Sequence, residues 1–214
     1  WLDHGFAYLT INYRGSTTFG RKFKEKIWGD LGHWEVEDMA AAYGMLVDRG
    51  ISRPDAVFLT GWSYGGYLTL QAMGVRPDLW AGGMAGIAIS DWRINHEDSN
   101  EALRNFDEGL FGGTPEEIPE KFAKSSPVTY VDRMKAPVLV VQGRNDTRCP
   151  GRQIEEYQEK MEALGKPIEV IWFDTGHAGP FANLEQNIKH HENLINFAYR
   201  VLNGEFSAKS IDAA

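Results

Sequence analysis

Apolar positions recur along this chain with two periods that take turns. Residues 6–13 (FAYLTINY) form a short apolar and β-branched run that stops at Arg14-Gly15-Ser16, which predicts a buried strand ending in a turn. From Val36 the apolar positions Val36, Met39, Ala40, Tyr43, Leu46 and Val47 follow helical spacing until Gly50, the pattern of a helix laying one face on a sheet. Residues 56–61 (AVFLTG) predict a strand, 64–75 a helix, and 81–89 (AGGMAGIAI) a strand of small residues.

Residues 91–135 break this rhythm. Asn, Asp, Glu and Gly are frequent there, and Pro115, Pro119 and Pro127 punctuate short helical pieces, which suggests an excursion lying over the sheet. Alternation then resumes. Residues 136–142 (APVLVVQ) predict a strand, Ile154, Tyr157, Met161 and Leu164 share one helix face, and residues 168–173 (IEVIWF) predict a further strand. A last helix carries Leu184, Ile188, His191, Ile195, Ala198 and Leu202 along one side, and the tail at 204–214 is small and polar, hence expected to fray. Alternating apolar strands and helices predict an α/β fold, a mostly parallel sheet covered on both faces, in one domain spanning 1–203. Chemistry in such sheets sits at the carboxyl ends of the strands.

Composition narrows the function without naming it. A formal charge of −8 and an isoelectric point near 5.3 oppose a nucleic-acid partner, because phosphate binding is built from Lys and Arg. Cys149 is alone, so no disulfide can form within the chain and a cytoplasmic location is the default expectation. No apolar run approaches the roughly 20 residues of a membrane helix, and the opening WLDHGF lacks the basic start and apolar core of a signal sequence.

Three strand ends carry reactive groups. Gly61-Trp62-Ser63-Tyr64-Gly65 is a G-x-S-x-G string between a predicted strand and a predicted helix, the setting of a nucleophile elbow. Such a turn lifts the serine above the sheet, aims a helix N-terminus at a developing oxyanion, and leaves no room for Cβ atoms at its flanking glycines. A neutral hydroxyl is a poor nucleophile, so it needs an imidazole to take its proton and a carboxylate to fix that imidazole. VLVVQGRND places Asp146 past one strand, and VIWFDTGH places His177 past the next. The order serine, aspartate, histidine is that of α/β-hydrolases. His4, His33, His96, His190 and His191 compete for the base, the last two from within a helix pattern. Asp174 competes for the carboxylate, but so near His177 a local turn role suits it better.

Other groupings read as structure. Glu35, Glu37 and Asp38 open a helix, where they complement its dipole. Neither H-E-x-x-H nor paired cysteines occur, so no metal and no cofactor is specified. Asn145-Asp146-Thr147 spells a glycosylation sequon, but a glycan there would stand beside the candidate triad.

The segments NYRGSTTFG (12–20), GDLGHWEVEDM (30–39), GWSYGGY (61–67), GRNDTRCP (143–150) and TGH (175–177) together resemble the catalytic domain of the prolyl oligopeptidase family, in particular its dipeptidyl-peptidase and acylaminoacyl-peptidase branches. The resemblance implies a serine peptidase that cleaves short peptides through an acyl-enzyme. It further implies that Tyr64 supplies an oxyanion donor from its backbone N–H and a pocket wall from its ring. Ile89 and Trp92 would wall the same pocket beside Cys149, and Arg148 would hold the next peptide carbonyl. Ile89 is equally readable as a buried strand end, and Arg148 as a salt bridge across its loop. Family members carry a β-propeller and earlier strands with a second oxyanion donor, so this chain is expected to be an N-terminally incomplete domain. An uncovered sheet edge would then invite a second copy of the chain. A carboxylesterase acting on small acyl esters is the alternative, and a fragment with the fold but without turnover is a third reading.

Overall fold

The structure, a computed structural model, describes residues 1–206. Among them, four strands form one parallel sheet in the order β1-β2-β3-β4: β1 Phe58–Trp62, β2 Gly82–Gly86, β3 Val138–Gly143 and β4 Ile168–Phe173. The helices are α1 (Arg21–Lys24), α2 (Trp34–Asp48), α3 (Tyr64–Val75), α4 (Trp92–Asp98), α5 (Glu101–Phe111), α6 (Pro119–Ser125), α7 (Arg152–Ala163) and α8 (Leu184–Leu202). Each crossover between neighbouring strands carries at least one of them, as a parallel pairing requires.

Alternation along β3 divides the core in two. Val138 and Val140 point into a cluster with Leu70 and Met73 of α3 and with Ile154, Tyr157 and Met161 of α7. Leu139 and Val141 point the other way, onto Met84 of β2 and Leu194 and Phe197 of α8. A strand buried on both sides is apolar wherever no hydrogen-bond partner is supplied, which is why APVLVVQ shows no alternation; the one buried polar side chain in it, Gln142, donates to the Cys149 carbonyl at 2.9 Å. Between β2 and β3, α4, α5, α6 and a 3-10 turn at Pro127–Arg133 bury Trp92, Phe111, Phe122 and Val131 in the first cluster.

Three expectations need correction. Residues 6–13 are not a strand. A strand exists only where another strand offers its N–H and C=O ladder, and no described strand pairs with this run or with the free side of β1. Aromatic contacts anchor the run instead, with Phe6 edge-on to Trp1, Phe58 and Tyr199, while Tyr8 and Leu9 stay exposed. The buried face of α8 is also rotated from the predicted one: His190, Leu194, Phe197 and Ala198 face inward, while Leu184, Ile188 and Leu202 are exposed.

The start of the tail is packed. Phe206 lies 5.5 Å from the Phe197 ring with the Arg200 guanidinium over it, whereas residues 207–214 lie outside the described residues. The acidic start of α2 places Glu35 and Glu37 in the first turn, as expected, and makes further contacts. Glu37 pairs with Arg76, and Asp38 accepts from Arg14 through both its backbone N–H (2.7 Å) and its Nε (2.9 Å), which ties the 12–20 loop to α2. Glu35 is wholly buried.

Candidate active site

Ser63 joins β1 to α3 with φ 58° and ψ −118°, a conformation that non-glycine residues adopt only when their surroundings compel it. The surroundings are close backbone. Ser63 N–H donates to the Gly86 carbonyl of β2 (2.8 Å), and its own carbonyl accepts from Tyr67 N–H (2.9 Å). A Cβ at Gly61 would sit 2.3 Å from the Gly65 carbonyl oxygen, and one at Gly66 would sit 2.4 Å from that of Gly86. Gly65 itself has open space where a Cβ would go, so the flanking requirement falls on Gly61 and Gly66 instead of Gly61 and Gly65. Tyr64 N–H stands at the first position of α3, where no intrahelical acceptor exists and the helix dipole favours negative charge.

The loops after β3 and β4 meet beside this turn. His177 Nδ1 lies 2.9 Å from Asp146 Oδ2 and 3.2 Å from Oδ1. Asp146 is fixed in turn by two backbone donors on its Oδ1, Arg148 N–H at 2.7 Å and Cys149 N–H at 3.0 Å. Trp62 Nε1 donates to the His177 carbonyl (3.3 Å), and its ring stacks on Phe173, so the residue before the serine also holds the histidine loop. Among the described residues Ser63 makes no hydrogen bond to His177; its near polar neighbour is the Cys149 thiol.

The rivals are placed elsewhere. The Asp174 side chain is 93% exposed and makes a long ion pair with Arg144 at 3.8 Å, while its backbone carbonyl accepts from Asn145. His4 meets Tyr199, His33 meets Asp30, and His96 meets Glu108. His190 is buried edge-on to Trp62, with its pKa lowered to about 4 by that burial and by His191, which makes it a packing residue behind the turn.

The residues expected to bind substrate divide by exposure. Ile89, Trp92 and Cys149 are buried, Trp92 against Tyr64, Tyr67 and Phe111. Burial, reinforced by the Asp146 carboxylate, pushes the Cys149 thiol up to about 12, so it is a neutral neighbour and not a nucleophile. Arg148 is exposed, and its guanidinium forms no ion pair among the described residues, so the expected alternative of a salt bridge across the loop is not formed. The Tyr64 hydroxyl donates to Glu35 Oε1 at 2.6 Å. Sequence reading missed this contact, because nothing in a helix-start acidic cluster says which member will be buried. Among the described residues no group of three or more His, Cys, Asp or Glu could hold a metal ion, and no helix is long and apolar enough to cross a membrane.

Residues 1–205 match the prolyl oligopeptidase family. The chain belongs to that family. It is 32% identical over 193 residues to dipeptidyl aminopeptidase BIII of Pseudoxanthomonas mexicana, covering 87% of this chain and 28% of that protein. Against the acylamino-acid-releasing enzyme of Rattus norvegicus it is 28% identical over 184 residues, 79% of this chain and 24% of the relative. The crystal structure of a puromycin hydrolase superposes with a TM-score of 0.83 at 27% identity, over 90% of this chain and 29% of the other. That of the uncomplexed Pyrococcus horikoshii acylaminoacyl peptidase does so with a TM-score of 0.82 at 26% identity, over 90% and 32%. The fold of this family member is thus that of the α/β-hydrolase peptidases, and the chain spans between about a quarter and a third of the length of these relatives.

Proposed function

We propose that this chain carries the catalytic site of a serine peptidase that hydrolyses short peptides through an acyl-enzyme, with Ser63 as nucleophile, His177 as general base and Asp146 as its orienting carboxylate. The observation that carries the reading is the His177–Asp146 pair at 2.9 Å, on loops beside a serine held at φ 58°. In the forward step Ser63 Oγ attacks the scissile carbonyl while His177 Nε2 accepts its proton, and Tyr64 N–H meets the developing oxyanion. His177 then returns the proton to the leaving amine, and water repeats the sequence to release the acyl group. The exposed Arg148 is available to hold a peptide carbonyl, and the Tyr64, Trp92 and Ile89 side chains form the adjoining wall. We take residues 1–203 as one catalytic domain, with 91–135 over the sheet.

The names of the relatives favour a peptidase over a carboxylesterase. Kinetics of the full-length protein on matched aminoacyl and small acyl esters separate the two, since a peptidase prefers the aminoacyl series. Ser63→Ala should abolish hydrolysis of both and covalent labelling by a fluorophosphonate. Labelling that persists in the variant would place the nucleophile elsewhere.

A further inference from the structure

We propose that Glu35 is a positioning residue for substrate selection: from a buried seat on α2 it holds the Tyr64 hydroxyl and so fixes the ring that walls the pocket beside Ser63. The inference rests on the proposed reading of Ser63 as nucleophile and of the Tyr64 ring as a wall of its substrate pocket.

Glu35 is 0% exposed and forms no ion pair among the described residues. Its two oxygens are held by neutral donors only, Oε1 by the Tyr64 hydroxyl at 2.6 Å and Oε2 by Gly32 N–H at 3.1 Å. Burying a carboxylate without a cation is costly, and for core stability alone an apolar residue would serve as well or better. Burial accordingly raises its pKa. What the carboxylate provides is a fixed acceptor at one place. Tyr64 is then held at both ends, its backbone at the first position of α3 directly after Ser63 and its phenol on α2. Between these anchors its ring lies 5.1 Å from Tyr67 and 6.3 Å from Trp92, so turning it would break the 2.6 Å bond and the aromatic packing together. Gly32 is the second seat of the anchor. Its φ of 77° turns its N–H to Glu35, and a Cβ there would strike the Tyr67 hydroxyl at 2.2 Å.

A group that only supported the fold would, once removed, lower every activity together. A group that aims a pocket wall changes the ratio between substrates that use the wall and substrates that do not. The test is kcat/KM of the full-length protein on an aminoacyl substrate with an apolar residue at the cleaved position and on an acetyl ester, together with the fluorophosphonate labelling rate. Glu35→Ala should lower the aminoacyl-to-acetyl ratio about tenfold, within the range expected for a pocket contact. Glu35→Gln should keep the wild-type ratio within about threefold, because its amide oxygen can accept from Gly32 N–H while its NH2 donates to a reversed Tyr64 hydroxyl. Tyr64→Phe should reproduce the fall, and the double variant with Glu35→Ala should fall no further than the larger single, as expected of two residues acting through one contact. Should Glu35→Ala fail to fold, Tyr64→Phe, which preserves core volume, decides. An unchanged ratio in Tyr64→Phe, additive losses, or a Glu35→Gln variant as impaired as Glu35→Ala each overturns the proposal. Wild-type protein that the fluorophosphonate does not label overturns the Ser63 reading as well, whereas labelled wild type with unchanged ratios in the variants removes Glu35 alone.

Discussion

Replacing Asp146 by asparagine isolates the orientation of His177 from the shape of its loop. The asparagine oxygen can still accept the Arg148 and Cys149 backbone N–H groups that Asp146 Oδ1 accepts at 2.7 and 3.0 Å, so the turn keeps its geometry. What changes is the partner of His177 Nδ1, which now meets an NH2 donor where it met Oδ2 at 2.9 Å. The imidazole must then accept at Nδ1 and carry its proton on Nε2, the nitrogen that takes the Ser63 proton in the proposed mechanism. A base in the wrong tautomer, without a carboxylate to stabilise the imidazolium, costs on the order of 10³- to 10⁴-fold in kcat, about 4–5.5 kcal/mol of barrier. Stability should fall by no more than about 1 kcal/mol, because the two backbone bonds survive. Steady-state kinetics and fluorophosphonate labelling rates report the first quantity, and urea denaturation the second. Asp174→Asn is the matched control, expected to be neutral because that side chain is 93% exposed. Wild-type turnover in Asp146→Asn, or a comparable loss in Asp174→Asn, would refute the assignment.

The other expectations address the turn, the surroundings and the pocket. Gly66→Ala should destabilise by about 1–3 kcal/mol in urea titrations, since the new Cβ meets the Gly86 carbonyl at 2.4 Å, while Gly65→Ala, with open space at its Cβ, should be neutral or stabilising by up to ~1 kcal/mol; equal effects would contradict the geometry. Asp107 is 5% exposed and its carboxyl is raised from 3.8 to about 6, chiefly by burial, so its stabilising contribution is full below pH 3.8 and lost as pH rises through 6. Asp107→Asn should therefore match wild type near pH 3 and exceed it by up to ~3 kcal/mol at pH 8, and a pH-independent difference would show that its charge is not what costs stability. Arg148→Ala should impair peptides that extend past the cleaved residue and spare simple esters, a split that steady-state kinetics on a matched series reads directly. Because Trp92 is 2% exposed and packs behind Tyr64 and Tyr67, Trp92→Ala should lower both stability and efficiency on apolar residues, and loss of neither would remove it from the pocket wall.

How much of this was legible in the sequence depended on whether a residue's role is set locally. β3, β4, α3 and α7 lie within two residues of their predicted bounds, because unbroken apolar runs and 3.6-residue spacing are properties of the segment itself. Residues 6–13 have the same composition as a strand, yet strand formation also needs a neighbour, and a single run cannot state whether it has one. On α8 two adjacent apolar stripes compete. The one with Leu194 and Phe197 is buried because Met84, Leu139 and Val141 of the sheet meet it, a choice made by the partner and not by the helix. The places of Ser63, Asp146 and His177 were legible because strand ends fix where they leave the sheet. Glu35 was not, since burial separates it from Glu37 and Asp38 and no pattern in WEVEDM does.

Three buried acids show how the fold sorts charge around this site. Between residues, Asp146 has two backbone donors and an imidazole, Glu35 has the Gly32 N–H and a phenol, and Asp107 has a side-chain amide, Asn95, at 3.4 Å. Burial raises the pKa of Glu35 and carries that of Asp107 to about 6, the direction expected when donors are too few to replace water. The richest donor set belongs to the acid that faces His177, where the proposed mechanism needs an anion held beside a developing imidazolium. The next belongs to the acid that grips the residue after Ser63, where a neutral amide of the same shape would hold the ring as well. On the proposed roles, donor count separates a carboxylate whose charge the chemistry would use from one whose geometry alone would matter, and Asp146→Asn against Glu35→Gln sets the two side by side: the same chemical change should disable the first site and leave the second working.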